Sequence, residues 1–232
     1  MLRLLWLAAL TLFIAVWLFP VSTGFTRASG LALFATVWLG LIALSWRHRV
    51  FRFSLLVLTV FCSIFLILPS RGRSDAASLR SAYVVGLRRY AGIAYYWGGE
   101  SPKGIDCSGL IRRGLIDSLF LRGIRTFDSG LARYAIWLWW HDCTARDFGE
   151  GHGFTTRLFS TPSINALDQT TILPGDLAVT SAGVHIMAFL GDNQWIEADP
   201  DIGRVVTVSV PSKDNLWFHE PMNIVRWNIF QQ

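Results

Sequence analysis

Hydrophobic and polar positions divide this chain into three textures. The first seventy residues are nearly continuous hydrocarbon, broken into uncharged runs at 4–26, 28–46 and 53–70. Each run is about as long as the helix needed to cross a hydrocarbon core of roughly 30 Å. Three transmembrane helices are therefore expected, at about 4–26, 28–46 and 53–70. Pro20 and Pro69 fall near span ends, where a missing N–H costs little. The first run is too long for the apolar region of a cleaved signal peptide, and two more runs follow it. A retained membrane anchor, residues 1–74, is the expectation.

A different pattern starts after the short polar stretch "SRGRSD". Ala76, Leu79, Tyr83, Leu87 and Tyr90 recur at helical spacing and stop at Gly92. Asp75 or Ser74 can cap that helix. A loop rich in glycine follows. A second helix begins near Cys107, with Leu110, Ile111, Gly114, Leu115 and Leu119 on one side. From Leu173 onward the texture is one of short strands: "DLAVTS", "VHIMAFL", "QWIEAD", "RVVTVSV" and "NIVRWNI", separated by Gly, Asp, Asn and Pro. Helices followed by a run of antiparallel strands read as an α+β domain over 75–232, with helices packed on an antiparallel sheet. Residues 121–172 carry no clear period. They hold the aromatic run "IWLWW" and the Gly-rich "FGEGHGF".

Charge sharpens this division. Residues 1–74 contain no Asp, Glu or Lys but seven Arg, while 75–232 hold fourteen basic and sixteen acidic residues. The formal charge of +5 thus belongs to the apolar part, and it is not a nucleic-acid signal. Arg placement orients the spans. "RHRVFR" between the second and third spans, together with Arg3, marks the cytoplasmic side, and everything after span three falls outside. Arg71 and Arg73 run against this rule. The expected location is a membrane crossed several times, with the second domain on the side away from the cytoplasm.

The candidate chemistry lies in "YYWGGESPKGIDCSGLIRRGL". A cysteine at a helix N-terminus sits in the positive end of the helix dipole among unpaired N–H groups. That setting favours the thiolate and offers donors to an oxyanion. Gly98, Gly99 and Gly104 fold the approach tightly, and Asp106 and Ser108 flank the sulfur, which a merely buried cysteine does not need. The other cysteines, Cys62 and Cys143, show no paired spacing and read as structural, with neither a metal site nor a disulfide framework suggested. His48, His141, His152 and His219 lie outside any motif, although the Gly-rich loop around His152 could bring it near a cleft.

The stretch resembles the NlpC-type cell-wall cysteine peptidases, a papain-like family. Tyr95, Trp97, Gly98, Gly99, Ser101, Pro102, Gly104 and the run from Asp106 to Leu110 match its pattern. Pro174, Gly175 and Asp176 match its next landmark, and "GVHIMAFLGD" matches the strand that carries its histidine. The resemblance covers roughly 76–120 and 172–200. It implies a papain-like domain with Cys107 as nucleophile, His185 as base and Glu197 as the third polar residue, where members often have His. It also implies that Tyr95 helps hold the oxyanion and that Asp106 and Ser108 contact a free amine of a trimmed wall peptide. No cofactor and no metal are implied. The interval from Cys107 to Asp176 is longer than the family's, which places an insertion at about 122–162.

Strand geometry bears on the histidine's partner. If 184–190 and 194–199 flank a three-residue loop of Gly191, Asp192 and Asn193, Leu190 pairs with Gln194. His185, Glu197 and Asp199 then share one face, and either carboxylate can orient the imidazole. The resemblance favours Glu197.

The expected function is a membrane-anchored hydrolase cutting an amide in peptidoglycan stem peptides, on family grounds the bond from D-γ-glutamate to a diamino acid. Its partners are that peptide and the lipid bilayer, not nucleic acid. Three rivals remain. One is a CHAP-type amidase cutting between the sugar lactyl group and L-Ala. Another is an acyl transferase of the permuted group, in which His precedes Cys, opposite to the order here. The last is a non-catalytic wall-binding module with a relic site.

Overall fold

The computed structural model describes residues 1–70, 72, 75–152 and 154–231. Its first three helices are α1 (Leu2–Leu18), α2 (Gly24–Leu44) and α3 (Arg49–Ile67). Among the described residues, α2 and α3 are long and apolar enough to cross a membrane. At 1.5 Å per residue they measure about 32 Å and 28 Å, whereas the 17-residue α1 reaches about 26 Å. The expected first span of 4–26 is therefore corrected. Its helix ends ahead of Pro20, residues 21–23 are not helical, and α2 starts four residues earlier than expected. Thr23 caps α2, accepting from the Thr26 N–H while the Thr26 hydroxyl accepts from the Thr23 N–H at 2.8 Å. α1 and α2 pack together, with the Trp6 indole donating to the Val37 carbonyl at 2.9 Å.

The second part starts with α4 (Ala76–Arg88), capped by Asp75, whose carboxylate accepts from the N–H groups of Ala77 and Ser78. Ser74, the other expected cap, and Arg71 and Arg73 lie outside the described residues. After the short ribbon β1 (Glu100–Ser101) and β2 (Gly104–Ile105) comes α5 (Cys107–Arg125). Next are α6 (Ser129–Trp140), α7 (Ala145–Glu150) and β3 (Thr155–Thr161). The strands read from sequence appear as β4 (Leu177–Thr180), β5 (Ile186–Gly191), β6 (Gln194–Asp199), β7 (Arg204–Ser209) and β8 (Met222–Trp227). They form one antiparallel sheet in the order β3-β8-β4-β5-β6-β7.

Both faces of the sheet are covered. Leu177, Val179, Ile186, Ala188 and Ile196 face α4 and α5, where Tyr83, Leu87, Leu110, Ile111 and Leu115 meet them. Ala178, Met187, Phe189, Trp195 and Ile224 face a second layer closed by Ile164, Ile172 and Phe218. That is why "LAVT" and "IMAFL" read as unbroken apolar runs rather than alternating ones. Asp176 of "LPGD" is fully buried and pairs bidentately with Arg226 at 2.7 and 2.6 Å.

The stretch expected as an insertion holds α6, α7 and β3, and α6 packs on both α5 and α3. Ser129 donates to the Leu68 carbonyl at 2.6 Å, and Arg133 donates to the carbonyls of Leu66 and Leu68. The aromatic run divides. Leu138 is buried, Trp139 packs on the core, and Trp137 and Trp140 remain partly exposed.

The β5–β6 hairpin differs from expectation at its tip. Ala188 pairs with Ile196 and Phe189 with Trp195, which is the expected register. Leu190 is then bulged, and Gly191 pairs with Gln194. The loop is thus two residues, Asp192 and Asn193, both at positive φ (50° and 56°), the type I′ geometry that matches strand twist.

Candidate active site

Cys107 is the first residue of α5, and the loop ahead of it is tied down by Asp106. The Asp106 carboxylate accepts from the Gly98 N–H at 2.8 Å, the Gly109 N–H at 2.6 Å and the Ser108 hydroxyl at 3.0 Å. One side chain therefore caps the helix and fastens the glycine loop across it. Burial makes this carboxyl harder to ionise, and the hydrogen bonds from Gly109, Ser108 and Gly98 work against that. The glycines answer to close packing. A Cβ on Gly109 would lie 2.2 Å from the Gly99 carbonyl oxygen, which accepts the Asp106 N–H at 3.0 Å. A Cβ on Gly99 would lie 2.4 Å from the Gly104 oxygen.

His185 stands just ahead of β5, 1% exposed. Thr180 holds its backbone, with the His185 N–H donating to Thr180 Oγ1 at 3.1 Å. The imidazole Nε2 is 2.6 Å from Glu197 Oε2, and Glu197 on β6 is fully buried. The other oxygen, Glu197 Oε1, accepts from Asn215 Nδ2. Trp217 stacks on the imidazole at 4.3 Å between ring centres, 16° from parallel. Burial pulls the His185 pKa down, but hydrogen bonds and charge from Cys107 and Glu197 outweigh it and carry it from 6.5 up to about 9. The hydrogen bonds of Asp199, the other candidate partner, go elsewhere. Its Oδ1 accepts from the N–H groups of Asp201 and Ile202 at 2.7 and 3.0 Å and closes the turn into β7.

Tyr95 is half-buried on a short bridge to Ile105. Burial, then the charges of Cys107, Asp106 and Asp199, push its hydroxyl up to about 12, so it stays a neutral donor near pH 7. Tyr95, Asp106, Cys107 and Ser108 line one cleft of about 390 Å³. The expected catalytic set is thus brought together around the N-terminus of α5, while Asp199 serves a turn.

Four residues at this site were not found from the sequence. Asn215 and Trp217 come from the loop after β7, where no motif or period marks them. Ser22 and Arg27 come from the apolar part and line the same cleft. Arg27 is the one charged residue between the first two apolar runs. Val21 bridges Gly99, and the Ser22 N–H donates to the Gly98 carbonyl at 2.8 Å, so the segment between α1 and α2 is tied to the glycine loop backbone to backbone.

Three of the remaining histidines have other neighbours. His141 Nδ1 meets the Trp137 carbonyl at 2.8 Å, His152 Nε2 meets Glu150 at 2.7 Å, and His219 Nε2 lies 3.3 Å from the Lys213 carbonyl. His48 precedes α3 as its N-cap. Cys143 is buried, and burial pushes its thiol up to about 12.

Residues 92–225 match the model of the NlpC/P60 family. Among solved structures, NlpC2 from Trichomonas vaginalis is 21% identical with a TM-score of 0.43, over 67% of this chain and 50% of that one. The peptidoglycan hydrolase RipB from Mycobacterium tuberculosis is 18% identical with a TM-score of 0.41, over 66% and 67%. The P60 domain of the M. avium subspecies paratuberculosis antigen MAP1204 is 19% identical with a TM-score of 0.39, over 65% and 96%. The chain spans about half the length of the Trichomonas structure. No curated protein matches it significantly.

Proposed function

Because the chain belongs to the NlpC/P60 family, we propose that it is a membrane-anchored cysteine endopeptidase of the cell wall. Its substrate is an amide bond in peptidoglycan stem peptides, with the bond from D-γ-glutamate to a diamino acid as the first assignment. The observation that carries this reading is the buried His185–Glu197 pair at 2.6 Å, charge-coupled to a cysteine that opens a helix.

In this mechanism His185 and Cys107 form an imidazolium–thiolate pair. Nε2 is held by Glu197, which leaves Nδ1 for the sulfur. The Cys107 thiolate attacks the scissile carbonyl carbon, and its electron pair moves to oxygen. The Cys107 N–H at the start of α5 and the Tyr95 hydroxyl hold that oxyanion. The tetrahedral species collapses, the C–N bond breaks, and His185 gives its proton to the leaving amine. Water then attacks the thioester with neutral His185 as general base, and Cys107 leaves as thiolate. Glu197 stabilises the charged imidazole, and Asn215 and Trp217 position the pair. Asp106 and Ser108 form the end of the cleft that meets the peptide's free amine.

Residues 1–74 are the anchor, with α2 and α3 crossing the bilayer and α1 beside α2. The segments that touch 75–232, Val21–Ser22 between α1 and α2 and Leu66–Leu68 at the end of α3, lie at one end of the bundle. Arg47, Arg49 and Arg52 lie at the other, and placing them in the cytoplasm puts the cleft on the wall side. Full-length protein in detergent, incubated with purified muropeptides, should release products whose masses identify the bond. Cys107→Ser should fold and release none. A product mass corresponding to sugar lactyl to L-Ala cleavage would instead establish the amidase reading.

A further inference from the structure

The anchor supplies charge to the cleft as well as a tether. Arg27, in the first turn of α2, is 4% exposed. Its Nη2 is 2.9 Å from Glu100 Oε2, and its Nε donates to Ser22 Oγ at 3.0 Å. Glu100 is shared. Its other oxygen accepts from Arg112 Nε at 2.8 Å, and Arg112 also donates to the Leu138 carbonyl at 2.8 Å and to the His141 carbonyl. Two buried guanidinium groups therefore face one buried carboxylate.

The uncompensated charge falls on Arg27. Arg112 spends Nε and both Nη groups on partners, whereas Arg27 Nη1 is buried without a hydrogen-bond partner among the described residues. A buried donor left unmade is costly, and an unpaired buried charge more so. The nearest further anion is Asp142, whose Oδ1 stands 3.6 Å from Arg27 Nη2, with its side chain 62% exposed. That carboxylate lines the cleft, and its Oδ1 also accepts from the Cys143 N–H at 3.0 Å. Arg27, Ser22 and Asp142 line the same cleft as Cys107, Tyr95 and Ser108.

We propose that Arg27 and Ser22 form a subsite that binds a carboxylate group of the peptide substrate, and that Asp142 occupies its approach when the cleft is empty. An incoming carboxylate displaces Asp142 and supplies the partner that Nη1 lacks. Its charge neutralises the excess in the cluster of Arg27, Arg112 and Glu100. The cleft is then zwitterionic, with an amine at the Asp106 and Ser108 end and a carboxylate at the Arg27 end. This rests on the wall-peptide reading above, and it makes the segment between α1 and α2 a specificity element.

The test uses full-length Cys107→Ala protein in detergent, so that binding is read without turnover. The probes are a stem tripeptide, L-Ala-γ-D-Glu-diamino acid, and forms of it with each carboxylate amidated in turn. Calorimetry should find one amidated form bound about tenfold more weakly than the free acid. Arg27→Gln should weaken the free acid by about tenfold and leave that amidated form within about twofold. Glu100 keeps Arg112 in that variant. Asp142→Asn preserves the local hydrogen bond to the Cys143 N–H and should tighten the free acid by roughly threefold, without changing the amidated form. Equal affinity for all forms, an equal response of both peptides to either substitution, or no binding of any form would overturn the subsite. Charge-selective binding with no cleavage by unsubstituted protein would instead sink the hydrolase reading and leave the subsite standing.

Discussion

Replacing Glu197 with Gln removes one charge while leaving the site a way to keep its shape. The amide oxygen can face His185 Nε2, which puts the amide nitrogen against Asn215. Asn215 Oδ1 is buried with no hydrogen-bond partner among the described residues, so a flip of that amide presents an acceptor. What changes is the field at the imidazole. The His185 pKa stands at about 9 against 6.5, and Cys107 and Glu197 both raise it. Losing one hydrogen-bonded opposite charge shifts a pKa by about one unit or more, so Glu197→Gln is taken to lower it by about one unit, about 1.4 kcal/mol. The imidazolium fraction then falls by about twofold at pH 8 and about fivefold at pH 9, and hardly at all at pH 6.5. The assay is the pH profile of kcat/KM for muropeptide cleavage, in which the alkaline limb should move about one unit towards acid. A loss of the same factor at every pH would refute the reasoning, because it would mean that Glu197 acts through geometry alone. Stability carries the same sign. A pKa raised on folding stabilises the protein fully below about 6.5 and is lost as pH rises through about 9. The melting temperature should therefore fall between those values, and fall less in Glu197→Gln.

Three further outcomes follow from the geometry. Gly109→Ala puts a methyl 2.2 Å from the Gly99 oxygen, backbone against backbone, and should cost about 3 kcal/mol by thermal denaturation, with activity lost. Mass mapping after brief alkylation at pH 7 should find Cys107 labelled and Cys143 spared, since burial holds the Cys143 thiol up at about 12. Residues 75–232 expressed alone lack the Val21 bridge to Gly99 and the Arg27 contact with Glu100. That fragment should cleave muropeptides at least about tenfold more slowly than the full chain.

The parts legible in the sequence are those set by local rules. The step from glycine loop to helix was readable because Asp106, Gly99 and Gly109 act within a few residues of one another. The strands from β4 onward were readable because turn residues bound short apolar runs. The hairpin register came out right below its tip, and the tip differed because the left-handed pair Asp192 and Asn193 pulled Gly191 into β5. Residues 121–172 resisted because their order is tertiary. β3 is an edge strand with mostly exposed positions, and α6 spends its apolar face on two partners, α5 and α3. Asn215 and Trp217 reach His185 from a loop with no period. Arg27 stands in the sequence as a single charge between two apolar runs, and only its contact with Glu100 reveals it as part of the cleft.

Cys107 is proposed to open a bond in the wall peptide with His185 as its proton carrier. The most direct measurement is mass spectrometry of muropeptides incubated with the full-length protein and, in parallel, with Cys107→Ser. The first should give a cleaved stem peptide, and a folded Cys107→Ser protein should leave the muropeptide intact. Cleavage that survives in Cys107→Ser would contradict that proposal.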